Sequence, residues 1–394
     1  MTTRQTFAEY ARNALSHRPR VPWYRLSVPG WSPVRRIVGL FAITWVPMFV
    51  FALVQGVAIA PTPRGSFLLD FATYARFFIG IPSLIVAETI IDPRLQGAMR
   101  RFVDDKFVRD EDLHVFERAK ARLARRRSSV VVTILIAALA AFGAWRLTVE
   151  AERGFAPDSW QSIHLGSGHL LRYSLAALWN HMVAVPVVLF LGYRWIWRII
   201  IWAVFLMDVA RLDLELVPTH SDRMGGLGFL EEAHRSYAAL ALAVSSVVSA
   251  DAAFRIVFER ANLDVFEQPG IVLLVIMQTL FLGPLLVFCP VLARGRRIGV
   301  MLYGALAVHY NRDFHEKWVK GSFPGDAALL GAADIQSLAD MGNSYRYVND
   351  MRAMPFGRRA ILTIAVATVL PGLPLLLLVV PLREVIRAMA KAVL

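Results

Sequence analysis

Apolar residues in this chain come in blocks rather than in short amphipathic pieces. Residues 37–60, 69–91, 129–148, 173–193, 237–256, 269–292 and 361–382 each approach or exceed the ~20 residues that a helix needs to cross a ~30 Å hydrocarbon layer. The pattern predicts an all-α, polytopic helical membrane protein of about seven transmembrane helices, with a helical cytoplasmic layer made from the segments between them. The expected division is an N-terminal segment 1–36, spans 1–2 within 37–91, a basic segment 92–128, and spans 3–4 within 129–193. A helix extension and Gly-rich turn follow at 194–236, then spans 5–6 within 237–292, a segment 293–360, span 7 at 361–382, and an amphipathic tail 383–394.

Two stretches test this division. Residues 195–212 are apolar, but only nine consecutive apolar residues separate Arg198 from Asp208, too few to cross. The expectation is a cytoplasmic or interfacial extension of the fourth helix, with Trp195, Trp197 and Trp202 near the headgroups and Arg194 and Arg198 snorkelling. Residues 361–382 contain Pro371, Pro374 and Pro381. A seventh crossing is favoured over a re-entrant hairpin, whose bend would need protein or water around it.

The polar intervals are unequal in charge. Residues 1–36 hold seven Arg against Glu9, residues 92–128 hold eleven Lys/Arg, and 293–360 hold ten. The other intervals are poor in basic residues: 61–68 has one Arg, 149–172 has two against three acids, and 257–268 has one against three. Basic loops mark the cytoplasmic side, so the N-terminus is expected inside, with no cleavable leader and the first span as insertion signal. Within the basic loops, 96–127 reads as two helices broken near Asp110–Asp112, and 298–320 as a continuation of the sixth helix. Residues 321–332 read as a loop, and 333–353 as a helix capped near Asp334 and broken at Gly342–Asn343.

Composition agrees with the blocks: 56% hydrophobic and 19% charged residues, with positive mean hydropathy. The net charge of +13 would suggest nucleic acid in a water-soluble chain; here positive-inside bias and anionic headgroups account for it, and no nucleic-acid partner is expected. The expected partners are the lipid bilayer, further copies of the chain in a homo-oligomer, and a small ion or solute. A single cysteine, Cys289, excludes an intrachain disulfide and a cysteine-based metal cluster. No phosphate-binding GxxxxGK[ST], zinc-protease HExxH or esterase GxSxG pattern occurs, so no cofactor or catalytic residue is assigned and an enzyme is the less favoured class.

Two candidate constellations remain. The first is PTHSDRMGGLGFL at 218–230, where three glycines in four residues allow the backbone to turn its N–H groups toward one point. His220, Asp222, Arg223, Gly225, Gly226 and Gly228 are the candidate ligand-binding or gating set. The alternative is a tight turn in which Asp222 accepts those N–H bonds itself. A metal shared by His220, Asp222 and His234 has no standard zinc spacing to support it. His164 and His169, five apart, read as solvated histidines rather than a surface metal site.

The second constellation is the charge inside the spans: Arg76, Glu88, Asp251 and Arg255, a candidate polar path lining the membrane region, with Asn180 and His181 in the fourth span. Arg76 and Glu88 are twelve residues apart, which on one helix means about 120° and ~18 Å, so they do not pair. Asp251 and Arg255 have the favourable acid-first i,i+4 spacing. Snorkelling to the headgroups is the plainer alternative for Arg76, Glu88 and Arg255.

PTHSDRMGGLGFL, together with LGAADIQSLADMGNS at 330–344, resembles motifs of a family of uncharacterised bacterial multi-pass membrane proteins. The resemblance extends to the Arg194–Trp202 run and the Pro-rich last span, roughly the second half of the chain. It implies a bacterial inner-membrane location, and carries no activity, cofactor or catalytic residue with it. On the residues alone, the leading function is a channel or transporter for a small ion or solute. A non-catalytic membrane scaffold or sensor is the main alternative, and an intramembrane enzyme the third.

Overall fold

The computed structural model describes residues 32–62, 65–153, 159–164, 171–320 and 333–375. Nine helices are seen among these residues. Seven are long and apolar enough to cross a membrane: α1 (Pro33–Val54), α2 (Phe71–Asp104), α4 (Val130–Arg153), α5 (Leu175–Ala210), α6 (Gly228–Glu259), α7 (Leu263–Lys320) and α9 (Arg358–Leu375). Two more, α3 (Leu113–Arg127) and α8 (Ala333–Asn349), lie outside the spanning set. A two-stranded antiparallel hairpin, β1 (Ser162–His164) with β2 (Leu171–Tyr173), pairs Ser162 with Tyr173 at one end of the bundle. The chain is a multi-pass helical membrane protein.

Every predicted span coincides with one of these helices. The 195–212 run continues α5 without a break, and α7 extends for 58 residues, roughly 85 Å if straight and far beyond a bilayer. The 96–127 segment divides as its periodicity requires. Helix α2 ends at Asp104, a short 3₁₀ turn covers Asp110–Asp112, and α3 begins at Leu113. Most of the N-terminal segment, the 321–332 loop, His169, the end of the last span and the 383–394 tail lie outside the described residues.

One expected break is absent. Helix α8 runs through Gly342–Asn343 unbroken. Glycine costs only about 1 kcal/mol in a helix interior, and α8 recovers it by packing antiparallel on α7: Val348 and Pro218 crowd Gly299, and Tyr345 lies over Gly304.

Prolines shape the spans. Pro82 and Pro186 each follow a π-helical turn, at Ala75–Gly80 and Asn180–Ala184, where the wider turn relieves the clash of the ring with the preceding turn. Pro47 cannot donate to the carbonyl of Ile43, and the indole Nε1 of Trp179 on α5 donates to that oxygen at 2.9 Å. A proline defect in α1 thus becomes a fixed contact with α5.

Packing is uneven along the bundle. Most of the α1 and α4 windows face outward, as lipid-facing helices should. The dense core lies toward the end opposite the hairpin, where α2, α3, α5, α6, α7 and α9 converge on Phe102, Phe116, Phe205, Leu230, Phe281 and Phe288. Phe102, Phe116, Phe205 and Leu230 of this core lie outside the long apolar blocks, in segments where water can drive apolar faces together as lipid cannot. A second, smaller core around Met48, Phe67, Phe77 and Trp160 closes the hairpin end.

Because a Cβ at Gly342 meets open space, Gly342→Ala is expected to raise the unfolding free energy by about 0.5–1 kcal/mol. Denaturant titration in detergent measures it; a loss of stability would show that the helix needs glycine there.

Candidate functional site: a buried arginine and carboxylate cluster

Helix α2 carries Glu88 and Asp92, four residues apart and therefore on one face. Three other segments bring guanidinium groups to that face: Arg36 in the first turn of α1, Arg127 at the end of α3, and Arg194 and Arg198 on successive turns of α5. Glu88 faces Arg36 at 2.8 Å, Arg198 at 3.0 Å and Arg194 at 3.3 Å. Asp92 accepts from Arg127 at 2.8 Å and from Arg198.

The side chains of Asp92, Arg198 and Arg127 are only 5%, 6% and 9% exposed. Arg198 also lies over the Trp195 ring at 4.0 Å, a cation–π contact. Two carboxylates thus meet four guanidinium groups among the described residues. The Trp195 indole donates to the backbone oxygen of Leu84 at 3.0 Å and fixes α5 against α2 at this level.

A cavity of about 20 Å³, room for roughly one water molecule, adjoins the cluster, lined in part by Asp92, Arg127, Arg198, Trp202 and Tyr237. Beside it, Trp202 donates to His234 Nε2 at 2.9 Å, which leaves Nδ1 as the protonated nitrogen, 2.6 Å from the Phe281 oxygen. His234 is fully buried in this pairing, a structural link of α5, α6 and α7. No group of three metal-ligating side chains occurs among the described residues.

The extension of the fourth helix stands, but the side-chain placement expected for 195–212 is corrected. Trp195 and Trp202 are buried, and Arg198 turns inward to ion pairs rather than snorkelling. A guanidinium flanked by two carboxylates gains more from them than from reaching for headgroups.

The candidate polar path falls into two separate patches. Phe71 packs on Phe258, and Val247 lies against Gly80, so α2 and α6 run antiparallel with Arg76 at the level of Asp251. Asp251 pairs with Arg255 at 3.0 Å, both about half exposed, while no carboxylate among the described residues pairs with the partly buried Arg76. Glu88 lies about 18 Å further along α2, in the other patch. Asn180 is buried in the π-turn of α5, and its side-chain oxygen has no hydrogen-bond partner among the described residues.

The Gly-rich turn is built around Asp222. Its Oδ1 accepts the N–H of Met224 at 2.8 Å and of Gly226 at 3.1 Å, and its Oδ2 accepts that of Gly228, the first residue of α6, at 2.8 Å. The nest therefore holds the chain's own carboxylate, and an outside anion would have to displace it. Gly225 and Gly226 have positive φ, at 62° and 95°, and a Cβ on Gly226 would stand 2.5 Å from the Phe107 ring. His220 Nδ1 lies 2.9 Å from Asp222 Oδ1, and Arg223 stands 3.9 Å from Asp350. The turn ties the 105–112 loop, α6 and the α8–α9 connection together. Burial pushes the Asp222 carboxyl up, but the three N–H donors and His220 outweigh it and hold the group below the usual carboxylate range.

Sequence reasoning marked Glu88 but missed the partners that give it meaning. Arg36, Asp92, Arg127 and Arg194 all stand at the boundaries of apolar blocks, on the side with basic loops. That shared position was the available signal. Compared with protein-family models, curated proteins and solved structures, the chain matches none.

Two outcomes follow from this geometry. Asp92→Asn leaves Arg127 and Arg198 facing a neutral group in a buried site and is expected to lower stability by about 3–5 kcal/mol. Asp251→Asn breaks only a half-exposed helical pair and should cost about 0.3–0.5 kcal/mol. Unfolding in mixed micelles distinguishes them; equal effects would contradict the burial argument.

Asp222→Ala is expected to lose about 2 kcal/mol at pH 7. Because the folded carboxyl titrates below its unfolded value, this contribution is present above about pH 4 and disappears as pH falls further. Melting at pH 7 and pH 3.5 reads the difference; a gap that does not narrow at low pH would refute it.

Proposed function

We propose that the protein is a channel or transporter for a small ion or solute, in which the arginine and carboxylate cluster is a closed gate. The observation that carries this reading is a buried ion-pair network held between two spans that can bend. Helix α2 presents Glu88 and Asp92 beyond its π-turn and Pro82, and α5 presents Arg194 and Arg198 beyond its π-turn and Pro186. π-Turns and prolines are the usual seats of helix bending. Charges buried this fully by protein at the ends of apolar spans are costly, and a role at the mouth of a pathway accounts for them.

The cavity at the cluster admits only about one water, as a shut gate requires. Arg76 and the Asp251–Arg255 pair form a second polar patch, about 18 Å further along α2. The basic loops favour the cluster end as the cytoplasmic one. The resemblance of the 218–230 and 330–344 motifs favours a bacterial inner membrane.

A second reading, a membrane scaffold or sensor, draws on one feature. Toward its C-terminal half, α7 exposes Ile298, Met301, Leu302, Leu306 and Val308. A stable stoichiometric partner in a membrane pull-down, lost with Met301→Glu, would favour it.

Flux from proteoliposomes tests the leading reading. Purified protein is expected to release at least one member of an ion and solute panel above empty vesicles, and Arg36→Gln, which loosens the gate at its edge, should raise that rate several-fold. No flux from either protein would sink it.

A further inference from the structure

Helix α7 continues beyond its apolar block. The block ends at Leu292, then come Arg294, Arg296 and Arg297, and the helix goes on to Lys320. Arginines packed this closely after a span mark the headgroup layer, which leaves roughly 35 Å of helix on the far side of them, in water. Open apolar side chains are ordinary against lipid, but a contiguous stripe of them in water calls for a cover.

One side of this stretch is already covered. Val348 and Pro218 lie against Gly299, Tyr345 lies over Gly304, and the Tyr310 hydroxyl donates to the backbone oxygen of Asp334 at 3.0 Å. At 100° per residue, Ile298, Met301, Ala305 and Val308 fall within about 60° of the line opposite that face. All four are exposed, Ile298 at 44% and Met301 at 66%, and Leu302 and Leu306 beside them are as open. Their spacing of three, four and three residues is that of a heptad seam, by which one helix packs along another. The same line carries Arg312 and Glu316, exposed and one turn apart, and neither forms an ion pair among the described residues.

We infer that this stripe is the interface between two copies of the chain, paired in parallel through α7. Copies in one membrane share orientation and depth, so each stripe meets the other at its own height. Seam positions then face themselves across a two-fold axis, and Arg312 of one copy stands a turn away from Glu316 of the other, which supplies the opposite charge. The exposed apolar side chains together offer on the order of 1,000 Å² over both copies, the lower end of a specific interface. Confinement to one plane and one orientation lowers the entropic cost of association, so an interface of that size holds. The face is the one a scaffold would offer to a partner; here it belongs to a second copy, whether or not the protein conducts.

Cysteine crosslinking of the full chain in membranes tests this. In a Cys289→Ser background, Ala305→Cys is expected to give a disulfide-linked dimer in most of the protein on mild oxidation, and Ser337→Cys on α8 in little of it. Met301→Glu places an unpaired charge in the seam and should cut the Ala305→Cys dimer at least about tenfold. Arg312→Glu should weaken it several-fold, and adding Glu316→Arg should restore it.

Met301 is largely exposed, so its replacement leaves the fold intact, which an unchanged helical circular dichroism spectrum checks. Should that variant still fail to fold, the comparison of positions 305 and 337 decides alone. Intact mass identifies the product: twice the mass of the chain supports the inference, and linkage to a polypeptide of another mass overturns it. Equal crosslinking at the two positions, or a dimer indifferent to Met301→Glu, or one that the charge swap does not restore, would overturn it as well.

Discussion

Unpaired charge inside an apolar bundle is the constraint on which this structure turns. Asp92 and Arg198, nearly fully buried, are tolerated because each is met by an opposite charge from another helix. That requirement draws α1, α2, the α3–α4 junction and α5 to one point, and the aromatic core of the same end packs around them. Lipid supplies no comparable force, since its tails are as apolar as the helices. The bundle is therefore closest-knit where its charges are.

Backbone chemistry does the remaining positioning. Pro47 frees a carbonyl that Trp179 takes, and π-turns precede Pro82 and Pro186 on α2 and α5, the helices that carry most of the cluster. Asp222 gathers three N–H groups into a turn too crowded at Gly225 and Gly226 for any side chain, and so anchors α6 beneath the same core. The motif at 218–230 is in this sense an assembly joint, with its charge turned inward.

Much of the architecture was legible in the sequence because a membrane span is a local property: some twenty apolar residues suffice to announce it. The unbroken α5, the two-part 92–128 segment and the long α7 followed from the same reasoning. The break expected at Gly342 was not there, because tertiary packing on α7 outweighs one residue's helix propensity. Glu88 stood out as a charge in an apolar block, but its partners did not. Arg36 is 52 residues away and Arg198 is 110, and no local rule pairs residues across such intervals. Trp195 and Trp202 show the same limit, since an aromatic residue near a span end reads as an interface anchor until the helix beside it is known.

The most direct test of the account is a double-mutant cycle between Asp92 and Arg127, measured by unfolding in mixed micelles. If the cluster holds the segments together, Asp92→Asn and Arg127→Gln are strongly non-additive, with a coupling of about 2 kcal/mol or more. Additive effects, within about 0.5 kcal/mol, would show the two groups to be neighbours without a shared role and would contradict it.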